Sequence, residues 1–381
     1  MKSYNHLMEK FLSDDNYFLA VRNATRHKGG KKRKYRKART VRDHAEELKD
    51  YYLEEARDFK NDRHVPKAIY DGIRRKQRFI LVPTMREQVV HHMIVNVLKP
   101  IFMKSMYEHS YGSIPDRGAH MAKKRIEKWI RRGGRDVKYV LKMDIKKYFD
   151  SIPHDILKRK LADLIHDRAF LNILNEIVDA TGTDRGIPLG FYTSQWFANW
   201  YLTELDHYIK EELHVKYYVR YMDDMVIFGS NKRELHEIKR KIEAYLEERL
   251  GLQLKENWQV YLFDYVKPDG KHVGRDLDFM GFRFYRDRTT LRKSIMFKAT
   301  RKARRIAKKV WKTVHDCRQM LSYLGWLDCT NTYAMYKRFI KPYVSFQYLK
   351  RRVSAYQNRI NKEEKLCGMR SKTATLPVPA T

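Results

Sequence analysis

Asp223 and Asp224 stand side by side in the run Tyr217-Tyr218-Val219-Arg220-Tyr221-Met222-Asp223-Asp224-Met225-Val226-Ile227-Phe228, flanked on both sides by apolar and aromatic residues. That pattern predicts a strand, a tight turn and a second strand. Two adjacent carboxylates at such a turn repel each other. A divalent cation between them removes that cost. The pair therefore points to a metal site that handles phosphate. An isolated acidic pair is more often an ordinary surface turn, so the reading depends on a third carboxylate and a nucleotide pocket upstream.

Both are present. Residues 137–143, Val-Lys-Tyr-Val-Leu-Lys-Met, form a second strand-like run that ends at Asp144 and continues as Ile145-Lys146-Lys147-Tyr148-Phe149-Asp150-Ser151-Ile152. The separation from Asp223 is long enough for the two strands to pair in one sheet. Three carboxylates at neighbouring strand ends can hold two Mg²⁺ ions. One activates an attacking 3′-hydroxyl and the other neutralises the leaving pyrophosphate.

At these residues the chain resembles the reverse transcriptases. Asp144 stands where their first catalytic acid does, and Tyr221-Met222-Asp223-Asp224 matches their second signature. Other motifs follow the same order. Lys76-Gln77-Arg78-Phe79-Ile80-Leu81-Val82-Pro83 is similar to the fingers segment that grips a triphosphate. Tyr111-Gly112-Ser113-Ile114-Pro115-Asp116-Arg117-Gly118 is similar to the next fingers motif, with Asp116 in place of the more usual glycine. Gly186-Ile187-Pro188-Leu189-Gly190-Phe191-Tyr192-Thr193-Ser194-Gln195 is similar to the motif behind the template base, and Phe279-Met280-Gly281-Phe282 to the primer grip. Leu189 and Gln195 stand where most of the family carries Gln and Pro. That pattern resembles the reverse transcriptases of diversity-generating retroelements, as do Lys255-Glu256-Asn257-Trp258-Gln259-Val260 and Ser322-Tyr323-Leu324-Gly325-Trp326-Leu327.

The resemblance implies roles residue by residue. Asp144, Asp223 and Asp224 are the catalytic acids and metal ligands, with the Ile145 carbonyl as an extra ligand. Lys76, Arg78, Leu189, Gly190 and Lys255 surround the nucleotide. Phe149, five residues after Asp144, is the bulky group that blocks a ribose 2′-hydroxyl. Ser194, Gln195, Tyr221, Met222, Met280 and Gly281 contact template or primer. Each has a structural alternative: Phe149 as a core aromatic, Lys76, Arg78 and Lys255 as solvated charges, and Leu189 as packing under the Gly190 turn.

With this resemblance, the elements that must position these groups imply an α+β, right-hand polymerase fold. A basic extension is expected at 1–65, fingers at 66–139, a palm at 140–285 with a helical excursion at 155–185, a helical thumb at 286–366 and a tail at 367–381. Helices are expected over residues 86–108, from Ala119 to Arg132 before Gly133-Gly134, from Ser194 to Lys210, and over 232–250. Strands at 258–264 and 278–285 are expected to close the palm sheet.

Composition agrees. The chain carries 80 Lys+Arg against 46 Asp+Glu, a formal charge of +34, which calls for a polyanionic partner. Its 43% hydrophobic content is enough for a core and excludes a disordered basic tail. The densest basic run, residues 27–42, contains Lys31, Lys32, Arg33 and Lys34 and reads as an RNA-binding arm rather than a solvated loop. Residues 299–313 hold no acid and place Ile306 and Val310, with Trp311 beside them, near one stripe; this reads as a thumb helix along a duplex backbone. Cys317, Cys329 and Cys367 lack metal spacing and are expected as free thiols, and His91-His92 as a packing pair. No apolar run is long enough to span a bilayer and no signal region opens the chain, so no membrane association and a bacterial or phage-carrying cytoplasm are expected.

The expected activity is RNA-templated DNA synthesis, error-prone at template adenines. Its partners are template RNA, a primer–cDNA duplex, dNTPs and, by the subfamily resemblance, a small basic accessory protein. Competing readings are a defence-associated, retron-like or intron-type reverse transcriptase, a non-catalytic RNA-binding scaffold, and a phosphoryl-transfer nuclease.

Overall fold

Two-sided burial organises the centre of the chain. Strand β3 (Tyr139–Asp144) buries Val140, Leu141 and Met143, and so presents apolar side chains to both faces of its sheet. In the computed structural model it sits inside a four-stranded antiparallel sheet of order β4-β5-β3-β6, with β4 at Tyr217–Tyr221, β5 at Asp224–Gly229 and β6 at Gln259–Leu262. The structure describes residues 3–26, 28, 35–71 and 76–373, without the side chains of Asp71, Lys76 and 363–373. Lys31, Lys32, Arg33 and Lys34 therefore lie outside the described residues.

The chain divides into two compact units, Met1–Phe263 and Asp264–Thr381. In the first, the helix Lys232–Leu250 packs Leu235, Ile242, Leu246 and Leu250 inward and ends at Gly251, which takes the left-handed conformation of a helix C-terminus. The helix Met85–Ser105 starts from a Thr84–Glu87 capping box and is buried along most of its length. It stacks Phe102 on Trp200 with ring centroids 4.6 Å apart. His91 is fully buried, meets the Thr193 hydroxyl at 3.0 Å and packs on Phe191, and the half-buried His92 packs on the Tyr192 ring at 4.4 Å between centroids. The expected long helix from Ser194 breaks instead into Tyr192–Tyr201 and Thr203–His207, followed by a wide turn at Tyr208–Glu212. Two strands, β1 (Val65–Asp71) and β2 (Lys76–Val82), pair as an antiparallel hairpin.

In the second unit, β7 (Tyr265–Val266) pairs with β8 (His272–Val273). Strands β9 (Leu277–Phe279), β10 (Phe282–Phe284) and β11 (Thr289–Leu291) form their own three-stranded sheet. The 278–285 segment thus does not join the four-stranded sheet, contrary to the sequence expectation. Met280 and Gly281, with φ +52° and +88°, make the two-residue turn between β9 and β10, which matches the twist of a hairpin. The helix Lys293–Ala307 buries Met296, Ala299, Ala303 and Ile306. The predicted stripe stops there: Val310 and Trp311 lie past the helix end and are 90% and 82% exposed. The last helix, Phe346–Thr373, continues into the residues expected as a tail. Among the described residues no helix is long and apolar enough to cross a membrane.

Candidate active site

Register brings the acids together. Asp144 at the end of β3 is the cross-strand partner of Asp224 at the start of β5, and Tyr221 pairs with Asp224 on the other side. Directly opposed residues project from the same face of a sheet. Asp223 stands in the β4–β5 turn beside Asp144. Burial first, and then the Asp144 carboxylate, push the Asp223 acid up to about 7. Lys255 answers part of this charge. Its Nζ donates to Asp144 Oδ2 at 2.5 Å and its backbone N–H to the Asp144 carbonyl at 2.8 Å. Lys142 Nζ lies 3.8 Å from Asp224 Oδ2. Ile145 is buried opposite Leu254, and the two backbone bonds flanking this pair, from Lys255 and Lys146, do not use the Ile145 carbonyl.

Among the described residues no three His, Cys, Asp or Glu side chains converge closely enough to enclose a metal ion as they stand. The donor set nonetheless fits a divalent cation. It consists of carboxylate oxygens, the hard ligands Mg²⁺ takes. Asp144 Oδ1 is buried without a hydrogen-bond partner. Two facing carboxylates there oppose each other's charge, and the two lysines supply positive charge that an ion would also supply.

The turn carrying Asp223 is held under constraint. Met222 has φ +56°, a left-handed backbone that costs a methionine about 1–2 kcal/mol. Its surroundings hold it there. Gly112 passes so close that a Cβ at that position would lie 2.6 Å from the Met222 nitrogen. Arg220 Nη1 donates to the Met222 carbonyl at 3.0 Å. The Arg220 guanidinium is completely buried and binds Asp206 through Nε (2.8 Å) and Nη2 (2.5 Å), and Nη2 also reaches the Asn199 carbonyl at 3.2 Å. Tyr218 Oη donates to the same carboxylate at 2.7 Å, and Asn199 Nδ2 donates to the Gly112 carbonyl at 2.7 Å. Backbone bonds from Tyr111 to Arg220 and from Arg220 to His109 tie the 109–112 loop to β4. Sequence reasoning passed over Arg220, Asp206 and Asn199. The available signal was an arginine among the apolar and aromatic residues of a strand leading to the acids.

The β1–β2 hairpin meets the 186–195 segment through its backbone. Leu81 N–H donates to the Leu189 carbonyl at 2.8 Å. Gly190 has φ +113°, and a Cβ there would stand 2.3 Å from the Leu81 carbonyl oxygen, so this contact requires glycine. The Leu189 side chain is half-buried. Arg78 is exposed on β2, and the Lys76 side chain lies outside the described residues. Phe149 packs edge-on against Tyr148, and its carbonyl accepts from Ile187 N–H at 2.8 Å. Ser194 is buried, while Gln195 is exposed. Asp116, where glycine is more usual, holds φ +60°, a conformation aspartate tolerates better than most residues.

Residues 63–284, more than half of the chain, match the reverse transcriptase (RNA-dependent DNA polymerase) family. The chain belongs to this family. The α+β polymerase fold expected from the sequence is the fold of these reverse transcriptases. Protein YkfC of Escherichia coli K12 is 24% identical to the chain over 259 residues, covering 56% of this chain and 65% of that protein. The group II intron-encoded protein LtrA of Lactococcus lactis subsp. cremoris is 27% identical over 143 residues, covering 35% of this chain and 23% of that protein. The chain spans less than two thirds of either relative's length. Apo telomerase from Candida tropicalis aligns at a TM-score of 0.46 and 14% identity, covering 73% of this chain and 56% of that one.

Proposed function

We propose that the chain is an RNA-directed DNA polymerase in which Asp144, Asp223 and Asp224, with the Ile145 carbonyl, hold two Mg²⁺ ions. The observation that carries this reading is the register setting Asp144 opposite Asp224, with Asp223 in the adjoining turn, in a chain of reverse transcriptase type. The bound ions would supply an activated primer 3′-hydroxyl and charge neutralisation on the leaving pyrophosphate. The chain's own residues do the positioning. Arg78 and Lys76 on β2 take the triphosphate, Arg78 through a two-bond contact. Phe149 restricts the sugar. Lys255, already on Asp144, stands ready to give a proton to the pyrophosphate side. Ser194, Gln195, Tyr221, Met222, Met280 and Gly281 serve template and primer.

In this reading the fingers occupy 66–139, the palm 140–285 and the thumb 286–366, and the partners are template RNA, primer–cDNA duplex and dNTPs. Primer extension on an RNA template with dNTPs and Mg²⁺ tests the proposal. Template-dependent incorporation is expected, and a folded, RNA-binding chain that incorporates nothing overturns it.

The finer reading is a diversity-generating reverse transcriptase with a small basic accessory protein. It rests on Leu189 and Gln195. Glutamine at 189 can hydrogen-bond near the nascent pair, whereas leucine has no donor or acceptor and so discriminates mispairs less. The Leu81–Leu189 bond is made by backbone, so Leu189→Gln changes the side chain without removing it. This variant is expected to lower misincorporation opposite template adenine. Sequencing cDNA from an adenine-rich template measures it, and an identical error spectrum excludes a fidelity role. A second reading, an intron-type reverse transcriptase, is favoured by the likeness to LtrA. Neighbouring DNA carrying a near-repeat pair that differs mainly at adenines would decide for the first.

A further inference from the structure

The second unit carries a basic surface that the sequence reading sets along a duplex backbone, and exposed apolar and aromatic side chains beside it that a duplex backbone does not account for. The helix Lys293–Ala307 turns Met296, Ala299, Ala303 and Ile306 inward. On another face, Lys298, Arg301, Lys302 and Arg305 follow one another at helical spacing and, with Gln319, Ser322 and Tyr323, line a cleft of about 410 Å³ with no acid among the described residues that line it. Large apolar side chains face solvent near both ends of this basic row. Phe297 is 58% exposed, and beyond the helix end Val310 and Trp311 are 90% and 82% exposed. Lys308, Lys309 and Lys312 flank them. Lys309 is engaged by Asp316 at 2.7 Å, and Lys312 stands over the Tyr348 ring at 5.6 Å.

Charge decides what can cover this surface. A second copy of a chain with formal charge +34 would bring the same sign to a basic face, and a basic protein would do likewise. A polyanion whose own faces are aromatic satisfies both features: phosphates in the cleft and a base on the indole. In a duplex each base face is covered by its neighbour, so an unpaired strand offers what Trp311 needs. We propose that the cleft and the Val310–Trp311 loop form a platform for a single-stranded RNA segment, with the helix cations on successive phosphates and Trp311 stacked on an unpaired base. The inference rests on the RNA-templated reading only for the choice of RNA as the polyanion.

The test is binding of the full chain, without dNTPs or metal, to a short fluorescein-labelled single-stranded RNA and to the same RNA annealed to its complement. Trp311→Ala is expected to weaken the single strand by about tenfold, equivalent to about 1.4 kcal/mol. It should leave the duplex and the salt slope unchanged, and Trp311→Phe should recover most of the loss. Lys298→Ala with Lys302→Ala should instead flatten the log–log salt slope on the single strand by about 1.4. Equal losses on single strand and duplex, no loss on either, or a dimer in sedimentation that Trp311→Ala dissolves would each overturn the platform. Primer extension plays no part in the measurement. A chain that binds in this way without polymerising would support the platform and overturn only the polymerase reading.

Discussion

Asp223→Asn is expected to abolish primer extension in Mg²⁺ while RNA binding stays at the wild-type level. The amide keeps the shape of the turn but cannot supply the negative charge that holds an ion beside Asp144. Loss of metal-assisted stabilisation is worth several kcal/mol, or about 10³-fold or more in rate. The fold should not suffer. Asp223 is pushed up to about 7 by burial and by the facing Asp144 carboxylate, so its charged form is disfavoured where it stands. Removing that charge relieves repulsion, and the metal-free variant should melt at the wild-type temperature or slightly above. Extension close to wild type by a folded Asp223→Asn chain would end the assignment of the three acids.

The second large effect concerns Arg220. Replacing it with methionine leaves Asp206 buried and uncompensated and is expected to destabilise the protein by about 3–5 kcal/mol. The paired variant Arg220→Met with Asp206→Leu removes both charges, and stability should return in large part, because a buried ion pair contributes little over apolar side chains of similar volume. Catalysis should not return with it. The donor to the Met222 carbonyl is still missing, and the left-handed turn that presents Asp223 loses a hydrogen bond that holds it. Thermal melts and steady-state extension separate the two roles. A recovered melting temperature with low kcat and a nearly unchanged KM for dNTP marks Arg220 as a positioning residue. Recovery of kcat together with stability would show that the pair serves only the core.

The helices and strands around the site were legible because their signals are local. The apolar and aromatic runs on both sides of Asp223-Asp224 announce strand, turn and strand; apolar spacing over residues 86–108 announces the helix found at Met85–Ser105; and Gly133-Gly134 closes the one before β3. Residue type and motif order were enough to single out Asp144, Asp223 and Asp224 as a set. Other features were decided only by pairing at a distance. Nothing local distinguishes 259–262, which joins the four-stranded sheet, from 277–284, which turns back on itself at Met280–Gly281 and pairs with β11. Strand β1 (Val65–Asp71) is stabilised by its partner β2, and its own sequence, with Pro66 and Lys67, speaks weakly for a strand.

Arg220 shows the same limit at the site. A charge in a strand usually points to solvent, and only the fold brings Asp206, Tyr218 and the Met222 carbonyl around it out of contact with solvent. The stripe expected to run on through Val310 and Trp311 fails for a related reason. Periodicity describes a helix for as long as it lasts. Its end is set here by the Thr313–Asp316 capping box of the next helix, which draws Lys309 onto Asp316 and leaves Val310 and Trp311 outside. Residue types and spacing determined which groups could do chemistry, because those signals lie along the chain. Their register, their constraint and their solvent exposure were decided by the tertiary structure, because those depend on atoms far apart in sequence.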